Sequence, residues 1–425
     1  MRLFLLSSVL PVFLLSACAS VAAPDPVPAA EPQVQTPVVQ APVTQSAPAV
    51  QRPTFEAYRD GLARRAIARG HDAALVARTI GAAEYYERTL KRDANQPEFT
   101  KPVWDYIRGA ASADRIDRGR AEMAEHADTL AAVERAYGVP AHILAGIWGL
   151  ETSYGRIMGD FDLFTTLTTL GYDGRRRDWA EEQVFAALEL IRSGDVRPEQ
   201  LRGAWAGAMG MTQFIPTTFR DYAVDFDGDG NKDLWGNEGD ALASAANYLT
   251  RSGWTPGVPV AGEVVLPDGF DYSVSEVETM SVADWARLGV RPANGADWTP
   301  GDARLQARLL APAGYRGPKL LAFDNFDVLM RYNPASAYVM GIASLGEALR
   351  GGQLVTAGWP EGDMGLNKPQ KEALQQALTA QGYDTKGVDG LIGPATRAAI
   401  RAWQRDNGLP ADGYVEQTLY RRIVG

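Results

Sequence analysis

One glutamate closes an apolar helical stripe. In the stretch from Pro140 to Glu151, residues Leu144, Ile147, Trp148 and Glu151 fall at i, i+3, i+4 and i+7, so the spacing predicts a helix face that stays apolar until its last position. Pro140 suits the first turn, where its missing N–H leaves no helical bond unmade. A carboxyl group on the dry face of a helix resists ionisation, because burial penalises the charged form. A carboxyl that keeps its proton near neutral pH has the chemistry of a general acid. The stripe by itself equally fits a glutamate at a frayed helix end that points into water.

A second chemistry-bearing run is Asp225-Phe226-Asp227-Gly228-Asp229-Gly230. Acids at positions 1, 3 and 5 with glycine at 6 reproduce the first half of a calcium-binding loop, with Asn231 at position 7 and Asp233 at position 9. Position 12 departs from the pattern. It is Gly236, so closure falls to Glu238 or Asp240 after a lengthened loop. The expected ligand set is Asp225, Asp227, Asp229, Asn231 and Asp240, because acids two apart repel one another unless a cation lies between them. Such a Ca2+ ion would be structural, pinning the loop to a helix at Ala241 to Thr250. No cofactor is expected for catalysis.

These residues need a scaffold, and the chain has the material for one. It has 425 residues, 46% of them hydrophobic, enough for two folded units plus tails. Its net charge of −10 excludes nucleic acid as the main partner, since phosphate binding relies on clustered Lys and Arg. Arg2 and the apolar run Leu3 to Leu15 read as an export signal, too short to span a bilayer. The signal ends Leu15-Ser16-Ala17-Cys18, which resembles the lipobox of bacterial lipoproteins, and Cys18 is the single cysteine of the chain. A lone cysteine in an exported protein has no internal disulfide partner, so lipidation accounts for it. The resemblance implies a periplasmic protein lipid-anchored to the inner face of the outer membrane, with Ala19 in place of an inner-membrane retention aspartate. Residues 1–18 are then the signal and lipobox. The Pro/Ala-rich stretch 19–53 is a tether in extended segments.

Globular sequence begins near Phe55. Helical spacing runs from Phe55 to Tyr86 with a break at Gly70 and His71, and Phe99, Val103, Trp104, Tyr106 and Ile107 offer large packing groups. One long helix is expected from Asp117 to Tyr137, stopped by Gly138, and another from Trp179 to Ile191. The run Gly203 to Pro216 is rich in glycine and alanine and permits close backbone approach to a helix or a ligand. Short strands at Glu263 to Leu266 and Gln306 to Ala311 predict a small β insertion. Helical spacing returns at Phe323 to Arg331 and at Ser336 to Leu349. Residues 352–365 read as a Gly-rich linker. Residues 366–425 form a small domain with an internal echo, Val388-Asp389-Gly390 against Ala411-Asp412-Gly413, each a turn that opens into a helix.

Glu151-Thr152-Ser153-Tyr154-Gly155, Gly207-Ala208-Met209-Gly210, Gln213-Phe214-Ile215-Pro216, the Asp225 loop and Tyr332-Asn333 with Tyr338 occur in one order. Over roughly Phe55 to Leu349 this series resembles the membrane-bound lytic murein transglycosylase B family. Asp389-Gly390-x-x-Gly393-Pro394-x-Thr396-Arg397 with Trp403-Gln404 resembles the peptidoglycan-binding domain 1 module. Together they imply a mainly α (α+β) fold: a lysozyme-like helical catalytic domain at 54–351 with a small β insertion, plus a small three-helix C-terminal domain. They imply peptidoglycan glycan strands as substrate and partner, cut between N-acetylmuramic acid and N-acetylglucosamine to leave 1,6-anhydro ends.

By the same resemblance Glu151 is the sole catalytic acid and base. Gln213 and Phe214 belong to the saccharide groove, Tyr332, Asn333 and Tyr338 to its wall, and Arg175 and Arg176 lie near peptide or lactyl carboxylates. Ala204 stands where relatives often carry a serine close to the catalytic glutamate. Two other readings remain open on sequence: a hydrolytic muramidase of lysozyme type with Asp160, Asp162 or Asp173 as second carboxylate, and a wall-binding scaffold without catalysis. The C-terminal domain is expected to act as a tethered anchor that raises local substrate concentration. The sequence names no protein partner.

Overall fold

The helix Ala141–Thr152 lies at the centre of the molecule, and its surroundings differ from a one-sided stripe. Ile143, Leu144, Ala145, Gly146, Ile147, Trp148, Gly149 and Thr152 are all buried, so the element is covered on every side rather than along one face. The computed structural model describes residues 53–93 and 101–425. The signal, Cys18 and nearly all of the Pro/Ala-rich tether, like Phe99, lie outside the described residues. Among the described residues no helix is long and apolar enough to cross a membrane.

In chain order the helices are α1 (Phe55–Ala68), α2 (Ala73–Arg78), α3 (Glu87–Asp93), α4 (Val103–Ala110), α5 (Ala113–Glu125), α6 (Ala127–Tyr137) and the central α7 (Ala141–Thr152). They continue with α8 (Leu163–Asp173), α9 (Arg177–Ser193), α10 (Pro216–Tyr222), α11 (Glu238–Arg251), α12 (Val282–Arg287), α13 (Asp324–Tyr332) and α14 (Ser336–Leu349). The C-terminal domain adds α15 (Lys368–Ala380), α16 (Pro394–Asp406) and α17 (Gln417–Val424). Starts are capped by side chains that accept otherwise unmet backbone N–H groups: Thr54 for α1, Asp72 for α2, Asp162 for α8 and Asn237 for α11. The long helix expected from Asp117 to Tyr137 is two, α5 and α6, broken at His126. No glycine or proline marks that break. It lets both pieces wrap α7, and the His126 ring meets Trp148 edge-on at 5.5 Å.

The β insertion is an antiparallel five-stranded sheet built from β3 (Ala261–Val265), β4 (Thr279–Ser281), β5 (Arg291–Pro292), β6 (Gln306–Leu310) and β7 (Lys319–Phe323), in the order β4-β6-β7-β3-β5. Two shorter strands, β1 (Phe161–Asp162) and β2 (Arg202–Gly203), pair with each other. The sheet and α12 close a separate core around Trp285, Val282 and Leu309. Strand β7 runs straight into α13, and Asn325 ties that junction down: its Nδ2 donates to Thr255 O at 2.9 Å and Val258 O at 2.7 Å, while its Oδ1 accepts from Thr255 N at 2.9 Å.

Helices α7 and α14 cross antiparallel at close range. A methyl group on Gly146 would sit 3.0 Å from the Ile342 carbonyl oxygen, and one on Gly346 would sit 3.0 Å from the His142 carbonyl oxygen. Small residues at both positions let the backbones touch and leave one register in which the end of α7 faces the start of α14.

The segment expected to be a loose linker is strapped to the body instead. Glu263 accepts from Thr356 N at 2.7 Å, Thr356 Oγ1 at 2.6 Å and Ala357 N at 2.9 Å. Trp359 packs on Trp104 at 6.1 Å, Glu361 pairs with Arg108 at 2.7 Å, and Asp363 with Arg316 at 2.5 Å. The C-terminal domain has its own core of Leu374, Leu378, Ile400 and Trp403, and docks on the β insertion through Arg401 and Arg397, 3.0 and 3.5 Å from Glu276.

Behind α7, Tyr154 fills a slot with no room to spare. A methyl group on Gly119 of α5 would lie 2.0 Å from Tyr154 Oη and 2.5 Å from Leu349 Cδ2. Replacing a helical glycine by alanine gains about 1 kcal/mol of helix propensity, but overpacking a closed site costs about 1–3 kcal/mol or more. At such a separation the clash wins. Gly119→Ala is therefore expected to lower the melting temperature by several degrees in a thermal melt; an unchanged or raised value would mean that the slot relaxes freely.

Candidate active site

Glu151 is the penultimate residue of α7 and is half-buried. The chain leaves the helix through three successive left-handed residues, Ser153, Tyr154 and Gly155, with φ of 50°, 61° and 75°. Two of these carry side chains that disfavour the conformation, so neighbours must hold them there. Thr152 does so from within: its hydroxyl donates to Met211 O at 2.7 Å and accepts from Gly155 N at 3.0 Å. Tyr154, 4% exposed, does so from behind, donating to Arg115 O at 3.0 Å. The glutamate thus sits on a helix end that is locked on both sides.

The Gly/Ala-rich run supplies the facing loop. Met209 and Phe214 bond reciprocally at 2.9 and 3.0 Å, and Met211 N donates to Leu234 O at 2.8 Å. Gln213 turns this small hairpin with φ of 52°, and its Nε2 donates to Gly210 O at 2.9 Å and Met158 O at 3.2 Å. Phe214, expected in the saccharide groove, is 1% exposed. It packs 6.1 Å from both Tyr332 and Tyr248, so it supports the tyrosines from beneath.

Helix α14 brings Tyr338 to the glutamate. The Tyr338 hydroxyl donates to Glu151 Oε1 across 187 residues of sequence, and Tyr332, at the end of α13, donates to Thr212 O. The two rings stack nearly parallel, 13° apart with centroids at 6.5 Å, and Tyr248 meets Tyr332 edge-on at 5.2 Å. Burial, and next the negative charge of Glu151, hold both the Tyr332 and Tyr338 phenols well above their ordinary pKa. Both therefore remain protonated donors. Asn333 joins α13 to α14 in extended backbone, and its half-buried side chain makes no hydrogen bond among the described residues.

Arg175 and Arg176 face a carboxylate of the protein itself. Both pair with Asp93 at the end of α3, Arg176 at 3.4 Å, and Arg176 also lies 3.9 Å over the Trp179 ring. Of the carboxylates considered as a second catalytic group, Asp162 is engaged as the cap of α8, accepting from Thr165 N at 2.8 Å.

The acidic loop is folded by its own carboxylates. Asp225 accepts from Gly228 N at 2.7 Å and Gly230 N at 2.9 Å, and Asp229 from Asn231 N at 2.7 Å. Ligand oxygens of Asp225, Asp227 and Asp229 lie within 4.8 Å of one another, an oxygen-donor set that suits a hard cation. Asp240 stands outside this group. Fully buried, it accepts from Phe226 N at 2.7 Å and Asp233 N at 2.8 Å, bracing both ends of the loop against α11. Burial first, then the charges of Asp227 and Asp225, raise its pKa.

Sequence reasoning passed over several supports of the site. Tyr106 of α4, read as a packing group, lies against the Tyr338 helix, 3.1 Å from where a Gly341 methyl would be. Thr152, Tyr154 and Tyr248 had no assigned role. The run Glu151 to Gly155 was the available signal, since a helix that ends in consecutive polar and glycine residues calls for partners.

Residues 54–347 match the transglycosylase SLT domain, and residues 367–423 match a peptidoglycan binding domain. Membrane-bound lytic murein transglycosylase B of Escherichia coli K12 is 33% identical over 252 residues, covering 57% of this chain and 66%, just under two thirds, of that protein. SltB3 from Pseudomonas aeruginosa, solved with NAG-NAM-pentapeptide and again with NAG-anhNAM-pentapeptide, is 44% identical with a TM-score of 0.83, over 87% of this chain and 99% of that one. The Escherichia coli lytic transglycosylase Slt35 in complex with calcium is 29% identical with a TM-score of 0.59, over 71% of this chain and 93% of that one. A matched span that contains Glu151, the hairpin that faces it, Tyr332 and Tyr338 places the chain in the transglycosylase SLT family.

Proposed function

We propose that this chain is a peptidoglycan lytic transglycosylase that cuts the β-1,4 bond between N-acetylmuramic acid and N-acetylglucosamine, with Glu151 as acid and then base. The hydrogen bond from Tyr338 to Glu151, at the locked end of a buried helix, carries this reading. Protonated Glu151 gives its proton to the bridging oxygen as the C1–O bond breaks and the N-acetylglucosamine leaves with a free hydroxyl. The muramyl acetamido oxygen stabilises the charge that develops at C1, so no second carboxylate is required as nucleophile, unlike two-carboxylate glycosidases. Ionised Glu151 then takes the proton of the C6 hydroxyl, whose oxygen attacks C1 and closes the 1,6-anhydro ring. No water is consumed and the carboxyl ends protonated. The attacking hydroxyl belongs to the same sugar, which gives it a high effective concentration over water. The anhydro-sugar ligand of the SltB3 relative supports this product.

Mass spectrometry of digested murein tests the reaction. Ends one water lighter than hydrolytic products are expected, and reducing ends throughout would favour the muramidase. Glu151→Gln should lower turnover by about 10²–10⁴-fold, the usual worth of a positioned acid or base; turnover equal to wild type would remove Glu151 as the acid, and no turnover in the wild-type chain would leave only a scaffold. Tyr338→Phe removes one hydrogen bond to a charged group, about 1.5–3 kcal/mol. The expected result is kcat roughly ten- to a hundredfold lower on a short soluble glycan with KM little changed, and an unaltered kcat would refute the positioning role.

We further propose that Asp225, Asp227, Asp229 and Asn231 hold a structural Ca2+, a reading supported by the clustered carboxylates and by the calcium-bound Slt35 relative. Chelation should lower the melting temperature, and excess calcium should restore about 2.7 kcal/mol at a hundredfold over Kd; a melt unmoved by chelator removes the ion. Cys18 is proposed as the site of a lipid anchor to the outer membrane. Cys18→Ser should shift the protein from the membrane to the soluble periplasmic fraction on cell fractionation, and unchanged membrane association would count against acylation.

A further inference from the structure

The C-terminal domain builds one turn twice. In the first copy Gln375 of α15 donates from Nε2 to Asp389 Oδ1 at 2.8 Å and to Leu391 O at 3.0 Å, and its Oε1 accepts from Gly390 N at 2.9 Å. In the second, Gln404 of α16 donates to Asp412 Oδ1 at 2.7 Å and to Tyr414 O at 3.3 Å, and accepts from Gly413 N at 2.8 Å. Leu391 N and Tyr414 N close the turns onto the same aspartate oxygens at 2.8 and 2.9 Å, and Gly390 and Gly413 share a φ of 73°. Gln375 also accepts from Asp389 N at 3.0 Å and donates to Thr396 Oγ1 at 3.1 Å. The difference that matters is that the second copy is occupied. Asp412 Oδ2 accepts from Tyr315 N of the β insertion at 2.8 Å, and Asp412 is 5% exposed.

The guest in that second copy has a definite shape. Its donating amide follows Gly314, which has a φ of 63°, and an L-side-chain methyl there would lie 2.4 Å from Asp412 Oδ2 and 2.8 Å from Tyr414 Cβ. Two kinds of residue meet both conditions. Glycine is one. A D-amino acid is the other, because its mirror-image sterics favour positive φ and its Cβ takes the place of the L-residue's hydrogen, away from the carboxylate.

The first copy is open. Asp389 is exposed, its Oδ2 accepts from no other described residue, and Val388 and Leu391 beside it are 47% and 58% exposed. The donors on Oδ1, Gln375 first, hold the Asp389 carboxyl below the usual range, so it is an anionic acceptor at neutral pH. We propose that the turn Val388 to Leu391 is a binding site for a peptide in which an amide N–H follows a D-amino acid, with Asp389 as its acceptor and Leu391 covering the small side chain. The site deepens the peptidoglycan reading of this domain and rests on it, since wall peptides carry D-residues.

Isothermal titration of the full chain carrying Glu151→Gln tests this, with a free wall pentapeptide ending in D-Ala-D-Ala and its diastereomer ending in L-Ala-L-Ala as probes. The D-form should bind at least about tenfold more tightly. Asp389→Asn, which puts a donor where the acceptor stood, should weaken it about tenfold, to the level of the L-form. Leu391→Ser should also weaken it while leaving the Gln375 bonds intact, with melting temperature and soluble-glycan turnover unchanged for both substitutions in the otherwise wild-type chain. Equal affinity for the two diastereomers, undiminished binding by Asp389→Asn, or no heat with either peptide would overturn the site. Anhydro-product release is read separately: its loss would strike the lyase reading alone, and its persistence without stereochemical preference would strike this site alone.

Discussion

The contact on which the rest depends is the close crossing of α7 and α14 at Gly146 and Gly346. Interiors are packed like crystals, so two backbones held this close have one register, not a range of them. His142 lies over Gly346, Gly146 over Ile342, and the same antiparallel register continues to Glu151 and Tyr338. A larger side chain at either glycine would part the helices and lengthen the hydrogen bond from Tyr338 to Glu151. The geometry at Glu151 is here an outcome of core packing five residues back along α7 and eight residues on along α14.

Around that contact the protein keeps its polar groups committed. Phenols at Tyr332 and Tyr338 are held protonated by burial and by the glutamate they face, so each is a donor of fixed sense. Thr152 ties the end of α7 to the facing hairpin, and Tyr154 blocks the helix end from retreating. Preorganised donors of this kind do not have to reorient as charge develops, which is where much of the benefit of a buried site arises.

Much of this was legible in the sequence, for identifiable reasons. Helix Ser336–Leu349 matches its expected bounds, and the turn at Val388-Asp389-Gly390 does open into a helix, Pro394–Asp406, because apolar periodicity met clear boundary residues such as Pro394. The β insertion appeared where β-type alternation and turn residues coincide. The break at His126 was not legible, because tertiary wrapping around α7 causes it and no local breaker marks it. Nor was the depth of Phe214: an aromatic beside glycines reads equally as a ligand platform or as core. The pairing of Arg175 and Arg176 with Asp93 spans more than eighty residues, and spacing carries no information at that range. Composition misled at 352–365, where glycines suggest freedom but Thr356, Trp359, Glu361 and Asp363 each find an anchor.

That strapped segment changes how the two ends of the enzyme cooperate. A flexible tether lets a binding domain sample a cloud of positions, and its benefit is an averaged local concentration. Here the spacing between Glu151 and the terminal domain is a property of the fold, set by the anchors of the strapped segment. A polymer either presents its features at that interval or it does not. Neither half can reach for a ligand ahead of the other.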